Sequence, residues 1–85
     1  VSAQQVPTAI VEREYKFTDK HFDFIRNLVR QRTGIVLSDI KRDMVYGRLV
    51  RRLRKLALST FTQYCELLNN GDEQELIQFT NAITT

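Results

Sequence analysis

Eighty-five residues, 42% hydrophobic and 27% charged, lie in the ordinary globular range and exclude a disordered chain. A single domain of this length buries only about 60% of the surface its unfolded chain exposes, so its core is thin. The net charge of +3 is unevenly spread: residues 41–55, "KRDMVYGRLVRRLRK", hold seven of the thirteen Lys and Arg residues against one acid, Asp43.

Residues 1–14, "VSAQQVPTAIVERE", mix polar residues with a proline and sustain no period. They predict a largely flexible N-terminal tail ahead of a helical domain over 15–85. No apolar signal region with a cleavage site stands there, and no apolar run approaches the roughly 18 residues of a membrane span. The expectation is a cytoplasmic chain with no direct membrane insertion.

In "YKFTDKHFDFIRNLVRQRTG" Thr18 is placed to cap a helix, Phe17 and Phe22 occupy the two positions of a hydrophobic staple, and Gly34 supplies a left-handed C-terminal residue. Phe22, Phe24, Ile25, Leu28 and Val29 fall within an arc of about 160°, the stripe of a core-facing helix over 19–33. His21 is the only histidine, which leaves zinc sites and histidine-based triads too few members. No metal site is expected.

"GIVLSD" reads as a short apolar connection whose Ser38 and Asp39 can cap a second helix over about 40–57. Ser59 can cap a third, with Phe61, Tyr64, Leu67 and Leu68 at helical spacing up to "NNG" at 69–71. Asp72 with Glu75 resembles a capping box for a fourth, whose stripe is Leu76, Phe79 and Ile83. Cys65, the lone cysteine, has no basic neighbour in sequence to activate it and reads as a half-buried helix residue. With no competing strand pattern and connections of two to six residues, the fold class is all-α, a small bundle of about four helices. With no Gly-rich loop either, no self-contained catalytic site is visible.

The second helix has two faces. Val45, Tyr46, Leu49, Val50, Leu53, Leu56 and Ala57 occupy an arc of about 140° that should face the core. Lys41, Arg48, Arg51, Arg52, Arg54 and Lys55 share the other side, interrupted only by Met44 and Gly47. Like charges three and four residues apart destabilise a helix by a few tenths of a kcal/mol per pair. A solvated face would offset that repulsion with interleaved Glu, which this one lacks.

The basic face therefore reads as a dock for an extended anionic surface. Nucleic acid is one such surface, although base-reading Asn, Gln or Ser is missing from the face. An acidic protein helix is another, since Arg forks pair with carboxylates in two-point contacts. Gly47, which costs about 1 kcal/mol relative to Ala in a helix interior, either permits close approach of such a partner or relieves crowding against the protein's own tail or a neighbouring domain. Tyr46 and Tyr64, which a nucleobase could stack on, sit at core-like spacing.

"RQRTGIVLSDIKRDMVYGRLVRRLRKLAL" with the later "FTNAITT" resembles the N-terminal helical domain of the CheR family of chemotaxis receptor methyltransferases, over about residues 17–85. The G-I-x-L connection, the R-L-x-x-R-L-R core of the basic helix and the terminal Ala-Ile-Thr-Thr occur in family order. The resemblance implies an S-adenosylmethionine-dependent enzyme that methylates glutamate side chains of chemoreceptors. A glutamate carboxylate, with an ordinary pKa near about 4.3, is already ionised at neutral pH. It needs placement in line with the methyl rather than a base.

In this reading Arg48, Arg51, Arg52, Arg54 and Lys55 hold acidic methylation helices of the receptor, and Thr84 and Thr85 stand at the approach to the cofactor. Nucleic acid is then not the expected partner. The remaining partner is the enzyme's own C-terminal catalytic domain, absent from this chain. No catalytic residue, bound cofactor or methyl transfer is expected of the 85 residues alone. Part of the Arg face can equally meet that domain, as a helical cap over the cofactor. Gly47 stands where the family pattern implies a polar residue.

Overall fold

The computed structural model describes residues 14–85. Among them are four α-helices and no strand: α1 (Asp19–Thr33), α2 (Arg42–Lys55), α3 (Phe61–Asn69) and α4 (Glu73–Thr84). The tail expected over 1–14 lies, apart from Glu14, outside the described residues. Helix α4 packs against each of the other three, and α1 packs against α3. The core is one cluster whose fully buried members include Phe22, Ile25, Leu49, Leu53, Phe61, Tyr64 and Phe79.

Helix α1 begins and ends as its sequence dictates. Thr18 Oγ1 accepts from the His21 amide at 3.2 Å, while His21 Nδ1 accepts from the Thr18 amide at 3.1 Å, so His21 completes a reciprocal capping box. The staple is present: the Phe17 and Phe22 rings meet edge-on with centroids 6.1 Å apart. Phe17 also lies 4.5 Å from Phe61 and 5.7 Å from Tyr46, which joins the start of α1 to α2 and α3. At the far end Gly34 takes φ 79° and donates to the Arg30 carbonyl, a conformation that costs other residues a Cβ clash.

The second helix differs from its expected span of 40–57. A 3₁₀ turn, Asp39–Lys41, leads into the α-helix, and Ser38 makes no side-chain cap. At the other end Ala57 adopts φ 57°. Its amide donates to the Arg54 carbonyl at 3.1 Å, and the Leu58 amide donates to the Leu53 carbonyl at 2.9 Å. These two bonds form a Schellman end with alanine in the position glycine usually takes. Ala57 is therefore exposed outside the helix, not part of the core arc. The cap of α3 is Thr60 rather than Ser59: Thr60 Oγ1 accepts from the Gln63 amide, and Gln63 Oε1 accepts from both the Thr60 and Ser59 amides. Gln at the third helical position completes the box only when counted from Thr60.

In the connection before α2 only Leu37 is buried, and Val36 and Ile40 are largely exposed. Cys65 is half-buried as expected, and burial pushes its thiol up to about 11.

His21 links helix capping to pH. Its Nδ1 must be unprotonated to accept from Thr18, so its proton lies on Nε2, which donates to Thr62 Oγ1 at 3.0 Å. Burial holds the imidazole below its ordinary value. The unfolded chain therefore binds this proton more readily, and stability falls as pH drops through the ordinary histidine range of about 6.5. Thermal unfolding of the His21→Gln chain, which keeps an acceptor at the capping position, should lose this part of the decline between pH 7 and 5. An unchanged decline would place the titrating group elsewhere.

Candidate functional site: the basic helix and its groove

The seven basic residues of 41–55 divide between internal partners and solvent. Arg42, at the start of α2, donates to Asp19 and, at 2.9 Å, to the Phe17 carbonyl, with its guanidinium 5.6 Å from the centres of the Phe17 and Phe22 rings. It ties α2 to the first turn of α1. Arg54 pairs with Glu14 at the surface, and this hydrogen bond holds the Glu14 carboxyl below its usual range. Lys41, Arg51 and Lys55 are exposed and make no ion pair among the described residues.

Arg52 turns inward. Its Nε and Nη2 donate to the two carboxylate oxygens of Glu75 at 2.9 and 2.7 Å, and the Tyr64 hydroxyl donates to the same carboxylate at 2.6 Å. Glu75 is 4% exposed, Tyr64 wholly buried. The three residues come from α2, α4 and α3, so one carboxylate joins three helices. Its hydrogen bonds to Arg52 stabilise the charged form of that guanidinium, while burial, with the separate bond from the Tyr64 hydroxyl to Glu75, pushes Tyr64 far above the ordinary tyrosine value. Glu75 stands three residues after the cap Asp72, whose side chain accepts from the Glu75 amide at 3.1 Å. The return half of a capping box is missing because the Glu75 carboxylate is spent on Arg52 and Tyr64. Sequence spacing marked Glu75 as a capping residue; only the packing of α2 over α4 makes it an ion-pair partner.

Arg48 is also engaged, through Nη1, with the carbonyls of Ala82 and Ile83 at 3.2 and 3.1 Å. Between α2 and α4 runs an open groove of about 490 Å³ lined by Arg48, Arg51, Arg52, Gln78, Asn81 and Thr85. The expected docking residues thus fall into two groups. Arg51, Arg54 and Lys55 face outward, while Arg48 and Arg52 hold α2 to α4. Gln78 and Asn81, which the α2 pattern alone did not point to, complete the groove from the α4 side. Gly47 is exposed, and a Cβ added there meets nothing within 4 Å, so no crowding among the described residues accounts for it.

Thr84 and Thr85 close α4. The Thr84 hydroxyl donates to the Thr80 carbonyl at 2.8 Å and the Thr85 hydroxyl to that of Asn81. Both residues are exposed, so their oxygens can accept from a ligand's hydroxyl or amino group while their protons stay on the helix. Among the described residues no Gly-rich turn exists to cradle a nucleoside.

Tyr64 is buried against Glu75, and the half-buried Tyr46 hydroxyl accepts from the Tyr15 amide at 3.0 Å, so neither ring is a stacking platform. No group of three or more His, Cys, Asp or Glu among the described residues is arranged to hold a metal. No described helix is long and apolar enough to cross a membrane.

Residues 20–84 match the CheR methyltransferase all-alpha domain. The chain is 54% identical over 69 residues to the chemotaxis protein methyltransferases of Escherichia coli (strain K12) and Salmonella typhimurium, an alignment covering 80% of this chain and 24% of each relative. It is 40% identical over 74 residues to chemotaxis protein methyltransferase 2 of Pseudomonas aeruginosa, covering 86% of this chain and 26% of that protein. The chain belongs to the CheR methyltransferase family and carries its all-alpha domain. It spans about a quarter of the length of these relatives.

Removing Glu75 leaves a guanidinium and a phenol buried without their partner. Breaking such a pair costs about 3–5 kcal/mol, whereas replacing both ions with apolar residues of similar volume is often near neutral. Urea unfolding of Glu75→Ala should show a loss of that size, and the double variant Arg52→Met with Glu75→Leu should recover most of it. A single-variant loss below about 1 kcal/mol, the ceiling for a surface pair, would mean that the bridge does not brace the bundle.

Proposed function

We propose that this domain is the substrate-recognition module of a cytoplasmic S-adenosylmethionine-dependent methyltransferase that modifies glutamate side chains of chemoreceptors. Helix α2 docks the acidic methylation helices, with Arg51, Arg54 and Lys55 outermost and Arg48 at the groove. The observation that carries this reading is the exposed Arg51–Lys55 pair: one helical turn apart on one face, with neither making an ion pair among the described residues. Two unmatched cations at that spacing repel each other, and an acidic helix laid alongside removes the repulsion.

Arg52 serves this surface indirectly, by fixing α2 over α4. S-adenosylmethionine, when bound, supplies the methyl group, and Thr84 and Thr85 accept hydrogen bonds at its rim. Family membership and relatives bearing the name chemotaxis protein methyltransferase support this reading. The rest of the site belongs to a catalytic domain beyond these residues.

Each exposed charge contact contributes about 0.2–1 kcal/mol and is screened by salt, so the module alone binds weakly. Titration of the isotope-labelled chain with a hairpin of acidic receptor methylation helices should shift amides over 44–55, less so as salt rises, and not in the Arg51→Glu, Arg54→Glu double variant. Absent shifts, together with clear shifts on adding duplex DNA, would favour a nucleic-acid-binding domain.

Gly47→Ala should stabilise the chain by up to about 1 kcal/mol, because the added methyl enters open space. The same titration then tests the glycine. Undiminished hairpin binding by Gly47→Ala would mean that the partner backbone does not approach closely at this position.

A further inference from the structure

In α4 the Asn81 carbonyl accepts from the Thr85 amide at 3.1 Å and from the Thr85 hydroxyl. The next two, of Ala82 and Ile83, accept from Arg48 on α2. A guanidinium there also meets the negative end of the helix dipole. Among the described residues Arg48 is the one side chain outside α4 that bonds to the carbonyls of its last turn.

Only Nη1 of Arg48 is used in these bonds. Its Nε and Nη2 have no hydrogen-bond partner among the described residues, and the side chain lines the groove with Arg51 and Asn81. A guanidinium presents its donors in a planar fork, so one edge can stay on the carbonyls while another takes a carboxylate.

We infer that Arg48 is a positioning residue that bridges the docking face of α2 to the exit of α4. With one edge it holds Ala82 and Ile83, and through them the placement of Thr84 and Thr85; with the other it receives a carboxylate of the docked helix. This rests on the docking reading above and adds a mechanical link to it. A carboxylate seated in the groove thereby bears on the two threonines at the cofactor rim.

The test uses the labelled chain with a short uncharged extension after Thr85, which moves the terminal carboxylate away from the end of α4. Arg48→Met keeps the apolar stem and removes the donors. Its amides over 82–85 should shift and exchange about tenfold faster, while Arg51→Met leaves them in place and Arg48→Lys restores part of the protection. With the acidic hairpin added, amides over 82–85 should move together with those of α2 in the unsubstituted chain, and in Arg48→Met only those of α2 should respond. Unchanged amides over 82–85 in Arg48→Met, or equal disturbance by Arg51→Met, would overturn the hold on α4. Hairpin binding without any movement at 82–85 would overturn the bridge alone. Failure of the hairpin to bind anywhere, with the Arg48→Met effect intact, would overturn the docking reading and the bridge together and leave only a structural clamp.

Discussion

One buried carboxylate joins three helices of the bundle and sets how they are oriented. Glu75 takes a two-point contact from Arg52 and a third bond from Tyr64, so three helices meet at a group that is 4% exposed. Taking an ion pair out of water is costly, and it is tolerated only where geometry and further hydrogen bonds match both charges. That requirement makes the arrangement directional in a way apolar packing is not. Leu53 and Leu76 could slide against their neighbours, but a forked contact fixes the rotation of α2 about its axis. The direction in which Arg51 and Lys55 point follows from it.

The same helix therefore uses its positive charge twice. Arg42, Arg48 and Arg52 are spent inside the fold, on the first turn of α1, the carbonyl end of α4 and Glu75 respectively. Arg54 meets Glu14 at the surface, where solvent screening leaves the pair little worth and open to exchange for another carboxylate. Lys41, Arg51 and Lys55 are exposed and make no ion pair among the described residues. A density of Arg that looks excessive for docking alone is accounted for once the inward contacts are separated from the outward ones. In a chain with so thin a core, contacts by long side chains between helices supplement apolar burial.

Capping chemistry made much of the fold legible. Thr18, Gly34 and Asp72 mark helix ends because their side chains or backbone freedom satisfy groups the helix itself cannot. The apolar stripes of α1 and α4 placed Phe22, Ile25, Val29, Leu76, Phe79 and Ile83 in the core, where they are found. Misplaced ends have equally local causes. Ala57 carries no compositional sign of a left-handed residue, and Ser59 and Thr60 are adjacent residues of similar capping strength, separated only by where Gln63 falls. His21 went unnoticed as a capping partner because Glu or Gln usually fills that position.

The candidate site was legible as a charge pattern and illegible as geometry. From the sequence alone came four helices, a basic face on the second and a likeness to a methyltransferase family, because periodicity, caps and motif order are properties of neighbouring residues along the chain. Which arginines remain available was decided only by tertiary structure. Arg51 and Arg52 are adjacent in sequence and both basic, yet the 100° between them turns one to solvent and the other onto a carboxylate 23 residues away. Helical periodicity gives the angle between two side chains; only the packing of α2 on α4 gives what each of them meets.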